Sequence, residues 1–476
     1  METERQIYLL NPKVLSPEII AVTFAKTSRS PESFREIADE LTEERSAQFH
    51  EKWVVGYGHS SVAEHAVLHI AIENVSRLAV ETIEGNRLAS FTEKSTRYQK
   101  WKSDAFFVPS EIENTPGSKV YNEICRNLFE TYSVILDGMI QKSVEKHPRL
   151  ENERDAAWER RRRSICTDAA RFLLPAASLA NVGVTANARV LENAIRKMLS
   201  SPLAEVRQIG EEIKQVTRRE VPTLVKYADA VPYLKDTTAD MAQLVGEWSS
   251  TERKDGGWCS LVSWQPDGED RVLASAIYRF TTQPYEDIYQ RVVKLPETEK
   301  QLLAHLLLDR LGQFDVPLRE LEHTLYTFDV MMDQGAYFEV KRHRMMTQTA
   351  QPLTAELGYC VPRLISETGY ADTYRRVMDA AGAAYRKLAN YDPNMASYVV
   401  PNGFRRRVLM TMNLREAYHF CSLRAAENAH FSARRVALRI AEMIQEKHPL
   451  LSMGMKLPDG ATWQQVEAEN FSDGCV

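Results

Sequence analysis

The chain has 476 residues, 44% hydrophobic and 26% charged, which is enough for two to four domains with substantial cores. A formal net charge of −5 argues against a general nucleic-acid binder and leaves room for a local basic pocket. Six scattered cysteines (Cys125, Cys166, Cys259, Cys360, Cys421, Cys475) form no Cys-x-x-Cys pair, which fits a reducing cytoplasm and gives no sign of a zinc site or disulfide framework. No apolar run reaches the length of a membrane span, and Met1-Glu-Thr-Glu-Arg5 carries acids where a signal peptide carries bases, so a cytoplasmic protein with no membrane partner is expected.

Residues 1–57 predict a short strand over Gln6–Leu10 and then helices, with Pro17 and Pro31 at helix starts. Gly58-His59-Ser60-Ser61 leads through Glu64-His65 into Ala66–Ile72, a run of strand-like content. After Ser76 the pattern turns helical, Gly85-Asn86 marks a turn, and Arg87 to Tyr98 follows. Residues 118–146 and 153–173 predict two amphipathic helices, the second with a solvated Glu159–Arg163 face and a stop at Pro175. Thr185-Ala-Asn187-Ala-Arg189 introduces a further helix, and Glu205–Arg219 continues helically. Residues 236–258, polar and glycine-bearing, read as a linker.

Beyond the linker the order repeats. Glu322–Val330 parallels Glu64–Ile72, Lys341–Arg344 falls within one residue of Glu84–Arg87, and Asn413-Leu-Arg415 parallels Asn187-Ala-Arg189. Arg171 and Ser397 each stand four residues before a proline, Pro175 and Pro401. Matched spacing at several polar landmarks points to internal duplication rather than shared hydrophobic periodicity. The basic stretch Lys341-Arg342-His343-Arg344 reads by itself as a solvated face or as a site for phosphate or an electron-rich ring.

At these residues the chain resembles the flavin-dependent thymidylate synthases, in two tandem copies. That family's signature is Arg-His-Arg, seven residues, then Ser-x-Arg-Tyr. The first copy reads Gly85-Asn86-Arg87, seven residues, then Ser95-Thr96-Arg97-Tyr98; the second reads Arg342-His343-Arg344, seven residues, then Pro352. Arg171 survives in the first copy where the second has Ser397. The second keeps Asn413, Arg415, His419, Leu423 and Arg424, whereas the first has Met198 at the place of the last arginine. The first copy also keeps Gly58-His59-Ser60-Ser61, which the second lacks. The losses are complementary.

The resemblance implies an α/β fold of the α+β kind: two mainly helical domains with small mixed sheets, forming an intrachain pseudo-dimer. Residues 1–235 would supply the nucleotide phosphate half-site and 259–476 the flavin half-site. It further implies dUMP as substrate, FAD as cofactor, and NADPH and methylenetetrahydrofolate as cosubstrates, within a homodimer equivalent to the family's tetramer. Glu93, Ser95, Arg97, Arg171, Arg342 and Arg424 would bind the nucleotide. His59, Ser61, Arg342, His343, Arg344, Asn413, Arg415 and His419 would hold the flavin. A reciprocal interface of Gly85, Asn86, Met198, Pro352 and Ser397 would be dead.

Chemically, Ser95, Arg97 and Arg171 suit a phosphate dianion, although Ser95–Arg97 also reads as an ordinary loop. His419 reads equally as a core histidine satisfied by backbone. By the same resemblance Arg424 is the candidate for the chemical step, where it would stabilise negative charge on the uracil edge. No nucleophile elbow surrounds Ser95, and no Pro-Cys-His is present. A flavoenzyme acting on another pyrimidine nucleotide, and a non-catalytic nucleotide-binding or regulatory homologue, stand as alternatives.

Overall fold

Ser16, Ser33 and Thr42 each accept a hydrogen bond from the backbone amide three residues on, at 3.3 Å, and so start α1 (Pro17–Lys26), α2 (Phe34–Asp39) and α3 (Glu43–Phe49). The computed structural model describes residues 6–27, 30–56, 60–97, 100–102, 104–246 and 257–472. The second helix starts at Phe34 rather than Pro31, because Ser33 and Glu36 form a reciprocal capping box. Gln6–Leu10 forms no strand: no edge takes it up, and Ile7 and Leu9 stand in solvent.

The first copy continues with β1 (Val67–Ser76), α4 (Arg77–Glu84), β2 (Ser90–Glu93), α5 (Gly117–Lys146), α6 (Asp155–Ala170), β3 (Leu179–Asn187), α7 (Ala188–Leu199) and α8 (Ala204–Thr217). An exposed helix, α9 (Pro232–Gly246), takes up the start of the sequence linker, and residues 247–256 lie outside the described residues. After β4 (Cys259–Trp264) come α10 (Gly268–Tyr278), α11 (Tyr285–Val293) and α12 (Glu297–Leu308). The second copy then gives β5 (Leu325–Asp333), α13 (Gln334–Val340), β6 (Thr347–Ala350), α14 (Arg363–Glu367), α15 (Ala371–Ala389) and α16 (Pro393–Ala396). It closes with β7 (Arg405–Asn413), α17 (Leu414–Arg424), α18 (Phe431–Lys447), α19 (Pro449–Ser452) and α20 (Trp463–Asn470). No helix among the described residues is long and apolar enough to cross a membrane.

The two sheets run β1-β3-β2 and β4-β5-β7-β6, antiparallel throughout rather than mixed. Their registers coincide: Val67 faces Asn187 as Leu325 faces Asn413, and Ser90 faces Thr185 as Thr347 faces Thr411. The one-residue slip between the repeats is a bulge in β1 between Ile72 and Val75, where Asn74 adopts φ 58° and β5 runs unbroken. Asn187 and Asn413 cap α7 and α17, accepting from Val190 and Glu416 amides at 2.9 and 2.8 Å. The Thr185–Asn187 stretch, expected as a helix lead-in, is the end of a central strand.

Packing divides the chain into two units that cut across the repeat. One contains residues 1–94, 107–113 and 179–252; the other contains 95–106, 114–178 and 253–476. The first unit holds the three-stranded sheet and a small core of Ile19, Val22, Ile37 and Leu41. In the second unit, which holds the four-stranded sheet, α5 and α6, coded by the first copy, pack with α14 and α15 of the second copy.

Within that second unit the two proline stops meet in an antiparallel bridge, Pro175 against Pro401. Ala176 N donates to Val400 O and Asn402 N to Leu174 O, each at 3.0 Å, so equivalent residues of the two copies exchange equivalent bonds. The Arg-rich start of α6 is solvated only in part. Arg162 is buried and donates to Ile140 O at 3.1 Å, and Arg161 grips Glu153 with two bonds of 2.9 and 2.8 Å. Cys125, Cys166, Cys259 and Cys421 are free and buried.

Gly403 sits at this junction, donating to Phe172 O at 2.8 Å. A Cβ there would meet Tyr374 Oη at 2.6 Å, Met378 Cε at 2.9 Å and Phe172 Cδ1 at 3.2 Å, and Tyr374 is fully buried. Gly403→Ala is expected to destabilise the protein by about 1–3 kcal/mol in chemical denaturation, with the backbone bridge displaced. An unchanged midpoint would show that the junction is loosely packed.

Candidate functional site

The Glu339 carboxylate, on α13, lies between two arginines. Arg171 Nη2 donates to its Oε1 and Arg424 Nη1 to its Oε2, each at 3.3 Å. Arg171 comes from the end of α6 in the first sequence copy, and Arg424 from the last turn of α17 in the second; both belong to the second packing unit. Burial alone would raise the Glu339 carboxyl. The surrounding guanidiniums of Arg171, Arg424, Arg97 and Arg342 outweigh it and hold the group below the usual range. Arg171 is 5% exposed, and its Nε finds no hydrogen-bond partner among the described residues. A buried donor without a partner is costly and fits a site built to receive an acceptor.

Arg424 is held from behind. Its Nε donates to His343 Nε2 at 2.9 Å, so His343 must carry its proton on Nδ1, which faces Glu416 Oε1 at 3.3 Å. Burial, with Arg424 and His419 alongside, pushes His343 down to about 2, and the ring is neutral at ordinary pH. Burial raises Glu416 to about 6. The chain Glu416–His343–Arg424–Glu339–Arg171 is continuous.

A second chain fixes Arg97. Its guanidinium grips Asp168 through Nε and Nη2 at 2.8 and 2.7 Å, and its Nη1 donates to Asn428 O at 3.1 Å. His430 caps α18 by accepting from Ser432 N at 3.2 Å, which leaves Nε2–H to donate to Asp168 O at 3.2 Å. Burial keeps His430 neutral, well below its ordinary range. Asp168 and Arg171 are three residues apart on one turn, so the Arg97 and Arg171 supports share a face.

The structure therefore brings Arg97, Arg171, His343 and Arg424 into one unit. Ser95 is half-buried there and accepts from Arg97 N at 3.2 Å. Arg342 is exposed, Arg344 half-buried, and Lys341 and His343 buried, so the basic stretch is not a solvated face. His419 is exposed, not a core histidine, with its ring 5.3 Å from that of His343. Asn413 serves as a helix cap. Arg415 donates to Pro317 O at 2.8 Å and Glu322 at 3.1 Å, matching the Arg189–Glu64 pair of the first copy. Glu93 lies in the first unit, its side chain fully buried and 2.8 Å from Arg77. Ser61 lies in that unit too, exposed in a cleft of about 730 Å3 lined by Phe24, Phe49, Trp53, Glu64 and His65. His59 lies outside the described residues.

Counted from the helix caps, the places of Glu339, His343, Glu416 and Arg424 hold Thr82, Asn86, Val190 and Met198 in the first copy. Asn86, Val190 and Met198 line an apolar cavity of about 20 Å3 in the first unit, room for a single water. Ser397, in the second unit, is buried and donates to Leu353 O at 2.8 Å. Glu339, Glu416 and Asp168 were not singled out by sequence reasoning. The available signal was an acid four residues before His343 in an otherwise uncharged helix, and another three residues after the capping Asn413.

Because burial raises Glu416 from 4.5 to about 6, folding favours its protonated form. Its stabilising contribution is complete below pH 4.5 and is lost as the pH rises through 6. Glu416→Gln is neutral throughout. Between acid and neutral pH, the unfolding free energy of the variant should gain about 2 kcal/mol on wild type. A constant difference across that range would mean that Glu416 does not titrate there.

The thymidylate synthase complementing protein family matches residues 12–223 and again 260–450. A UPF0159 protein of Chlamydia muridarum is 30% identical over 438 residues, covering 88% of this chain and 82% of that protein. A flavin-dependent thymidylate synthase of Clostridium tetani is 29% identical over 216 residues, 45% of this chain and 82% of its own. A solved ThyX of Helicobacter pylori, complexed with FAD and dUMP, aligns over 42% of this chain and all of its own, at 17% identity and a TM-score of 0.33. Two matched segments, and two sheets that share a three-stranded core of the same order and register, identify the chain as a tandem-duplicated member of the flavin-dependent thymidylate synthase family, the thymidylate synthase complementing proteins.

Proposed function

We propose that the chain binds FAD and dUMP and converts dUMP to dTMP by reductive methylation, with methylenetetrahydrofolate and NADPH as cosubstrates, as a cytoplasmic homodimer. The observation that carries this reading is the convergence of Arg171 and Arg424 on one buried carboxylate. Each copy alone has only one of the two cations. Ser95, Arg97 and Arg171 would receive the phosphate, exchanging internal acceptors for its oxygens. Arg424, oriented at Nε by neutral His343, would face the uracil edge and stabilise the negative charge that enriches C5. Glu93 and Arg342 remain proposed nucleotide contacts.

Arg342, His343, Arg344, Asn413, Arg415 and His419, with His59 and Ser61, would hold the flavin. The donor set fits: an exposed arginine and an exposed imidazole flank the neutral His343, and cations near a flavin ring favour its reduced anionic form. Bound FAD supplies the hydride transfer from NADPH. A protein nucleophile is not required by this route. Cys421 would be a poor one, since burial pushes its thiol up.

The same triad is compatible with a second reading. Glu339 already neutralises the two arginines, so an anionic substrate must displace an anion, and a flavoenzyme acting on another pyrimidine nucleotide would share the same arginine pair.

The test is purification of a yellow protein and assay of dTMP formation from dUMP. Arg424→Ala should lower kcat about 100- to 1,000-fold with flavin retained. Arg171→Ala should weaken dUMP binding at least about tenfold. Mixing the two variants should restore nothing, because each chain then carries one broken site. A colourless, inert wild-type protein would overturn the reading, and a yellow one inert toward dUMP would favour the second.

A further inference from the structure

Outside the arginine–carboxylate chain, the second unit holds a cleft of about 680 Å3 between α5 and α6, with Arg97 and Lys100 at its rim. Five cations line it, Arg97, Lys100, Arg160, Arg161 and Arg163, against one acid, Asp137. Three are spoken for: Lys100 by Asp137 at 2.7 Å, Arg161 by Glu153 and Arg97 by Asp168. The guanidiniums of Arg160 and Arg163 find no acid or acceptor among the described residues. Leu136, Ile140 and Ala157 supply apolar lining.

The volume is that of a small-molecule site, and the concavity focuses the field of the uncompensated cations. The chain's net charge of −5 opposes a long polyanion such as nucleic acid, whose backbone would extend far beyond the cleft. We propose that this cleft binds the multiply charged end of a small anionic ligand, a phosphate ester or a short run of carboxylates. It would be distinct from the mononucleotide site, with which it shares Arg97. The two candidate sources, the phosphates of NADPH and a polyglutamyl tail on the folate, rest on the proposed reductive methylation; the charge of the cleft does not.

The test compares the full wild-type chain with the Arg160→Ala/Arg163→Ala double variant, both side chains being exposed. The probes are NADP+, NAD+, tetrahydrofolate mono- and pentaglutamate, tripolyphosphate and dUMP. Tripolyphosphate and one polyanionic cosubstrate should bind the variant at least about tenfold more weakly, with a flatter salt dependence, while dUMP affinity stays within about twofold. Selective loss of NADP+ against NAD+, or of pentaglutamate against monoglutamate, identifies the source and supports the proposal. Unchanged affinity for every polyanion would overturn it, as would an equal loss for dUMP. Because tripolyphosphate needs no thymidylate chemistry, wild type that binds it but not dUMP would leave the cleft standing while the proposed reaction falls.

Discussion

A buried carboxylate held between two guanidiniums sets the terms for the rest of this molecule. Glu339 cannot be ionised at that depth without Arg171 and Arg424, and neither arginine could be buried there without it. The two cations belong to different copies of the repeat, so the ion triad can form only where α6 of one copy reaches α13 and α17 of the other. The exchange of backbone bonds between the Pro175 and Pro401 stops delivers that approach, placing the end of α6 against the second copy.

The same physics accounts for the way the copies have diverged. A buried glutamate without its arginine, or an arginine without its glutamate, leaves an uncompensated charge in a low dielectric. Such a set is stable whole or absent whole. In the second copy Glu339, His343, Glu416 and Arg424 are all present; in the first, Thr82, Asn86, Val190 and Met198 are all uncharged, and three of them line a nearly filled apolar cavity. By contrast, the Arg189–Glu64 and Arg415–Glu322 pairs and the Asn187 and Asn413 caps recur in both copies. They hold the scaffold, which both copies need.

Much of this was legible in the linear chain. Ser76, Asn187 and Asn413 announced helix starts, the Gly85-Asn86 turn fell where expected, and the spacing of Arg171 and Ser397 before their prolines marked the repeat that the matching strand registers bear out. What stayed hidden was long-range. The β1 bulge read as a one-residue slip, because bulges follow from strand pairing rather than local propensity. Gln6–Leu10 is a short apolar run with strand-like content but pairs with no strand among the described residues. Glu339, Glu416 and Asp168 went unnoticed because an acid's partner, 71 to 168 residues away for Asp168 and Glu339, is set by tertiary contact. The packing units, too, follow α5 and α6 across the repeat boundary, which no composition shift marks.

The central claim is that two degenerate copies make one nucleotide site per chain. Calorimetric titration of the flavin-loaded chain with dUMP tests it most directly. The account predicts saturation at one dUMP per chain. Two equivalents per chain would contradict it, since the first copy's counterpart would then be a working site.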